Sequence, residues 1–136
     1  MKTTRVQERY YHYQRCVIKL KKAVDRDLHD FIVLAAIVKS YEMSFDLGLK
    51  VIRDFMEYKG TDTLLRDARD VIRAAFKAYV YIDAPLWLQM LAERNEIIHV
   101  YDDDCFLLLA NRIKERYLDE FEHTATIMKE LLDKLE

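Results

Sequence analysis

Val6, Tyr10, Tyr13, Val17, Leu20 and Val24 recur at three- and four-residue steps, which predicts a first helix with one apolar stripe. Asp25 and Asp27 break that stripe, and Asp27 stands where an N-cap of the next helix belongs. A second stripe through Phe31, Leu34, Val38, Phe45, Leu49, Ile52 and Met56 predicts a long helix from about Asp27 to Tyr58. Gly60 follows it at the place of a left-handed C-terminal glycine. Thr61–Asp62–Thr63 supplies the next N-cap, and Leu64, Ala68, Val71, Ala75 and Ala78 mark a third helix. Asp83–Ala84–Pro85 is a stop and restart, with Pro85 suited to the first turn of a fourth helix. That helix carries Trp87 to about Val100. Asp102–Asp103–Asp104 is a second restart, its acids complementing the dipole of a helix start. A long last helix then runs through Phe106, Leu109, Ile113, Tyr117, Phe121, Ile127 and Leu131.

Only two glycines and one proline occur in 136 residues. Folds built on tight turns need more of both, so long helices with short connections follow. The expected fold is all-α, an antiparallel bundle of about five helices forming one domain over residues 1–136. The net charge of −2 and pI of about 6.1 argue against a surface that binds nucleic acid everywhere, but leave room for a local basic groove. Cys16 and Cys105 are far apart and form no CxxC, so buried free thiols are expected rather than a zinc or redox pair. The polar start of the chain lacks the apolar core of a signal peptide. The longest apolar run, Phe31–Val38, is too short to span a bilayer. A cytoplasmic protein without membrane contact is therefore expected.

Several constellations carry no chemistry. Glu120-x-x-His123 has the spacing of helical di-iron sites, but no second copy exists to complete one. No metal and no cofactor are expected. His12 among three tyrosines and His29 near the start of the second helix have no visible partners. The two glycines, Gly48 and Gly60, build no phosphate loop. Asp102-x-Asp104 resembles the acidic pair of a nucleotidyl transferase, yet it reads better as a helix start.

The stretch Arg94–Asn95–Glu96–Ile97–Ile98–His99–Val100–Tyr101 is different in kind. Arginine clamps phosphate through a planar fork, and histidine moves protons near neutral pH. Together they suffice for metal-free RNA cleavage. Histidine would activate the ribose 2′-hydroxyl or protonate the leaving oxygen, and arginine would stabilise charge on the phosphorus oxygens. Asn95 and His99, four apart, share a face. Arg94 and His99, five apart, lie about 140° around a helix from each other. Either the helix unwinds near His99, or two chains contribute across a two-fold axis. The dimer is the favoured reading, because an isologous interface duplicates every group and can build one composite cleft.

Arg94-x4-His99-x-Tyr101, with Asn95 after the arginine, resembles the Arg-x4-6-His signature of HEPN domains. Tyr41–Gly60, YEMSFDLGLKVIRDFMEYKG, and Asp70–Asp104, with DVIRAAF and WLQMLAERNEIIHVYDDD, resemble the HEPN subfamily of nucleotidyltransferase substrate-binding proteins, whose toxin members are called HepT. The likeness runs from about Asp27 to the last helix, and the first helix matches in pattern only. It implies an all-α bundle that forms homodimers, some paired into tetramers. It also implies a minimal nucleotidyltransferase partner encoded nearby, an RNA substrate, and silencing of the RNase by AMP added to a tyrosine. Carried over, Arg94 and His99 would be catalytic, Asn95 supporting, and Tyr101 the AMPylated residue. A phosphodiester on Tyr101 would occupy the place beside Arg94 that a substrate phosphate needs. Gly48 departs from the larger residue usual in the family, and Tyr79 stands where a glycine ending the third helix is expected. An RNA groove would draw on Arg66, Arg69, Arg73, Arg112, Lys114 or Arg116. The leading expectation is a HepT-like, metal-independent endoribonuclease of a toxin–antitoxin pair. The alternatives are a non-catalytic substrate-binding subunit of a two-protein nucleotidyltransferase, and a helical adaptor without a site.

Overall fold

A computed structural model describes residues 2–60, 65–97, 99 and 102–135. The first helix, α1 (Lys2–Val24), buries Val6, Tyr13, Val17, Leu20 and Val24 of the stripe expected of it and leaves Tyr10 half-buried. The turn of residues 25–30 reverses the chain into α2 (Phe31–Tyr58). Arg9 near the start of α1 pairs with Asp54 near the end of α2, so the two helices run antiparallel. The N-cap is Asp30, whose side chain accepts from the Ile32 amide at 2.8 Å. Asp27, the expected cap, instead accepts from the His29 amide within the turn. Phe31 consequently lies outside the buried stripe and is exposed. Gly60 has φ +73°, the left-handed conformation that only glycine adopts freely after a helix.

The expected cap Thr61–Asp62–Thr63 and the first stripe residue Leu64 lie outside the described residues. The third helix, α3 (Ala68–Ala74), starts later than expected, capped by Asp67, which accepts from the Asp70 amide. It tightens into a 3-10 turn at Ala75–Ala78 and stops at Tyr79, with φ 65°. This is the position where a glycine is expected, and the backbone there does take the glycine-like conformation. Asp83 caps α4 (Ala84–Ile97) by accepting from the Leu86 amide, and Pro85 sits in its first turn. Asp102 caps α5 (Asp103–Arg112) by accepting from the Asp104 amide. The chain continues through a π-helical turn, Ile113–Tyr117, into α6 (Leu118–Asp133).

That π turn corrects the reading of the last helix. The extra residue rotates everything beyond it. Leu109, Ile113, Tyr117 and Phe121 stay on the buried face, but Met128 and Leu132 then take the core positions expected for Ile127 and Leu131.

Helix α2 packs against all the other helices and is the spine of the bundle. At its middle, Trp87 is fully buried between Phe45 and Phe121, with ring centroids 5.3 and 5.7 Å away. Gly48 leaves the space this indole fills: a Cβ there would stand 2.8 Å from Trp87 Cη2 and 2.9 Å from Tyr13 Cε1. The Trp87 Nε1–H donates to Glu120 Oε2 at 2.9 Å, and the Asp83 amide donates to the same oxygen at 2.8 Å. Glu120 therefore ties the start of α4 to α6. His123 lies beside its other oxygen, Nδ1 3.1 Å from Oε1. Of the pair that has di-iron spacing in sequence, Glu120 is thus engaged in holding two helices together.

Two buried hydroxyls brace the bundle. Tyr13 donates to the Phe121 carbonyl and Tyr41 to the Met90 carbonyl. Burial, more than the nearby Glu120 and Glu93 charges, raises both phenols above the usual tyrosine range. A raised folded-state pKa favours the protonated form. Its stabilisation is complete below the unfolded pKa and is lost as pH climbs towards the folded one. Urea unfolding is therefore expected to show constant stability to about pH 9.5. Above pH 10 it should fall by about 1.4 kcal/mol per pH unit for each of these two phenols. A Tyr13→Phe variant should show a shallower decline.

Candidate functional site

The last turn of α4 follows from its own sequence. Met90, Leu91 and Ile97 turn inward, and Arg94, Asn95 and Glu96 fall on the sides left to solvent or to neighbouring helices. Arg94 leans onto α2, where Asp46 receives its fork. Nε donates to Oδ1 at 3.0 Å and Nη2 donates to Oδ2 at 2.9 Å. The hydrogen bonds to Asp46 raise the arginine's already high pKa, overcoming the opposite effect of burial, so the charge is permanent. Of the five guanidinium N–H donors, Asp46 takes two. Three remain, and the side chain keeps 24% of its exposure. Asp46 thus fixes the plane of the fork while leaving donors for a phosphate.

Asn95 is exposed on another side of α4. His99 lies in the turn just beyond, exposed, with its amide donating to the Glu96 carbonyl at 3.0 Å. Helix α4 ends at Ile97, earlier than the expected Val100. Tyr101 and Val100 lie outside the described residues. Among the described residues no hydrogen bond joins Arg94, Asn95 and His99.

Sequence reasoning missed two features. One is Asp46 itself, an acid among the apolar residues of Met43–Leu49. Its partner lies 48 residues away, beyond any local spacing rule. The other is a network on the side of α4 that carries Gln89 and Glu93. Glu93 accepts from both Arg112 and Tyr117, and Gln89 donates to the Tyr117 hydroxyl. Burial and the Glu93 hydrogen bond push the Tyr117 phenol up to about 12. Arg112, a candidate for an RNA groove, is committed here. An open groove of about 190 Å³ runs beside it, walled by Ile97, Phe106, Leu108 and Leu109 and edged by Glu93 and Glu96. Cys16 is half-buried and Cys105, on the wall of this groove, is exposed, so the expectation of two buried thiols is not met. No three His, Cys, Asp or Glu side chains cluster as a metal would require among the described residues. No helix there is long and apolar enough to cross a membrane.

Residues 8–130 match the family described as nucleotidyltransferase substrate binding protein like. No curated protein matches the chain. The match spans all of the helices described above apart from the outer ends of α1 and α6, and it contains the whole Arg94–Tyr101 stretch. The chain therefore belongs to the nucleotidyltransferase substrate binding protein like family.

Proposed function

We propose that this protein is a metal-independent endoribonuclease of the HepT type, the toxin of a pair whose other member is a minimal nucleotidyltransferase. The observation that carries the reading is the Arg94 fork, held flat by Asp46 with donors to spare, one turn of chain from the exposed His99. In the proposed step the ribose 2′-oxygen attacks phosphorus and the P–O5′ bond breaks. The products are a 2′,3′-cyclic phosphate and a 5′-hydroxyl. His99 accepts the 2′-proton, water protonates the departing oxygen, and His99 then returns its proton to solvent. Arg94 stabilises the charge that grows on the non-bridging oxygens, and Asn95 supports the same cleft. Arg94 turns onto α2 while His99 lies exposed in the turn after α4, and in this reading the cleft is assembled from two chains of a homodimer. AMP on Tyr101 brings a competing phosphodiester into the same motif and silences it.

Purified protein in excess EDTA should cleave RNA, and His99→Ala should lower the rate by about 10²–10⁴-fold. Equal cleavage by the two proteins ends the assignment.

The family description supports a second reading, a non-catalytic subunit that presents a substrate to a nucleotidyltransferase. It expects a tight complex with the neighbouring enzyme and no toxicity when this chain is expressed alone. Growth arrest on solo expression that depends on Arg94 would count against it.

A further inference from the structure

Asp46 also lines a cleft of about 220 Å³ between α2 and α3, together with Leu49, Lys50, Arg53, Ala68 and Val71. Residues 46, 50 and 53 follow one face of α2, so the cleft begins where Arg94 is anchored and extends about 10 Å along the helix. Its charges do not cancel. Asp46 is neutralised by Arg94, while neither Lys50 nor Arg53 takes part in an ion pair among the described residues. Of the acids close in sequence to the lining residues, Asp54 pairs with Arg9, Asp70 accepts from the Arg66 amide, and Asp67 caps α3.

The buried Arg53 Nε has no hydrogen-bond acceptor. An N–H of a charged group shut away from water without an acceptor is costly, and an anion entering the cleft would supply one. Three separate observations therefore agree: a cavity, an excess of positive charge and an unmet donor. The walls between the cations are apolar, as a ribose would tolerate.

We propose that Lys50 and Arg53 form a phosphate subsite for an RNA strand, holding a backbone phosphate within a few nucleotides of the one gripped by Arg94. The subsite rests on the proposed function for its RNA ligand, but not for its affinity for phosphate. Lys50 acts as a mobile point charge at the mouth and Arg53 as the oriented donor within. The subsite raises affinity and sets the strand's path, so substitutions in it should change KM rather than kcat.

Calorimetric titration with inorganic pyrophosphate at constant ionic strength tests the subsite without RNA. The intact protein and the Asp46→Asn/Arg94→Ala variant, which removes both charges of that pair, should both bind, and Lys50→Gln/Arg53→Gln should not. Equal binding by that double variant, or no binding by the intact protein, overturns the subsite. A second arm uses fluorescence anisotropy with a single-stranded RNA 12-mer on His99→Ala protein, which leaves the RNA intact. Adding Arg53→Gln should weaken binding about tenfold and lower the slope of log affinity against log salt by about 0.7. Adding Arg53→Lys should restore the slope but not the affinity. Lost pyrophosphate binding with unchanged RNA affinity would overturn RNA as the ligand and leave a free phosphate compound as its source. Thermal melts of each variant, expected within about 2 °C of the parent, show that lost binding is not lost folding. Pyrophosphate binding that survives Asp46→Asn/Arg94→Ala, with an intact protein that cleaves no RNA, would separate failure of the enzymatic reading from failure of the subsite.

Discussion

Glu120→Ala should destabilise the fold by about 4 kcal/mol, a large share of the 5–15 kcal/mol that holds a domain of this size. The carboxylate is 6% exposed and accepts from the Asp83 amide and the Trp87 indole through one oxygen. Bonds to a charged acceptor contribute about 1.5–3 kcal/mol each, and their removal leaves buried donors facing apolar side chains. Thr124 Oγ1, 3.2 Å from the indole nitrogen, relieves part of that loss. Glu120→Gln keeps the shape and one acceptor oxygen, so it should cost only about 1–2 kcal/mol. Urea unfolding of the two variants checks the order. The midpoint for Glu120→Ala should fall far below that for Glu120→Gln, with an unchanged slope. An alanine variant as stable as the glutamine variant would mean that the carboxylate does not tie α4 to α6.

The helices were legible because their signals are local. The α1 and α2 stripes repeat every three or four residues, and Gly60, Asp102 and Pro85 mark ends and starts through backbone geometry. The misplaced helix starts share one cause. Several acids near a helix start can each cap it, and which one does is decided by the turn before it. Asp30 rather than Asp27 begins α2 because Asp27 is used inside the turn. Asp67 rather than Thr61–Thr63 begins the described α3. The π turn at Ile113–Tyr117 left no local mark, since leucines, isoleucines and tyrosines at four-residue steps fit an ordinary helix as well.

Two departures seen in sequence acquire a physical account. Gly48 is small because Trp87 and Tyr13 occupy the space its Cβ would need. Tyr79 replaces a glycine at a left-handed position at a cost of about 1–2 kcal/mol. Its ring meets Tyr81 edge to face, and Tyr81 meets Phe76 in the same way, all three exposed. The candidate site was legible as a list of residue types and not as a geometry. Arg94, Asn95 and His99 announce themselves by chemistry. Asp46, Lys50 and Arg53 belong to α2 and meet α4 and α3 only after folding, so no spacing within either segment could join them.

The proposed cleft draws on two chains because Arg94 turns to α2 while His99 lies exposed in the turn after α4. Arg94→Ala removes the charge that meets the developing phosphorane, a loss of about 10²–10³-fold. His99→Ala removes the proton carrier, with a loss of about 10²–10⁴-fold. Each variant alone should be nearly inactive. If every cleft takes arginine from one chain and histidine from the other, a mixed dimer holds one cleft lacking both and one cleft intact. Random reassociation makes about half of the dimers mixed, which gives about a quarter of the intact activity.

The deciding measurement is therefore RNA cleavage in excess EDTA by an equimolar mixture of Arg94→Ala and His99→Ala proteins, unfolded together and refolded. Recovery to about a quarter of the intact rate is the expected result. A mixture no more active than its two components, beside an intact protein that cleaves, would contradict a cleft shared between chains.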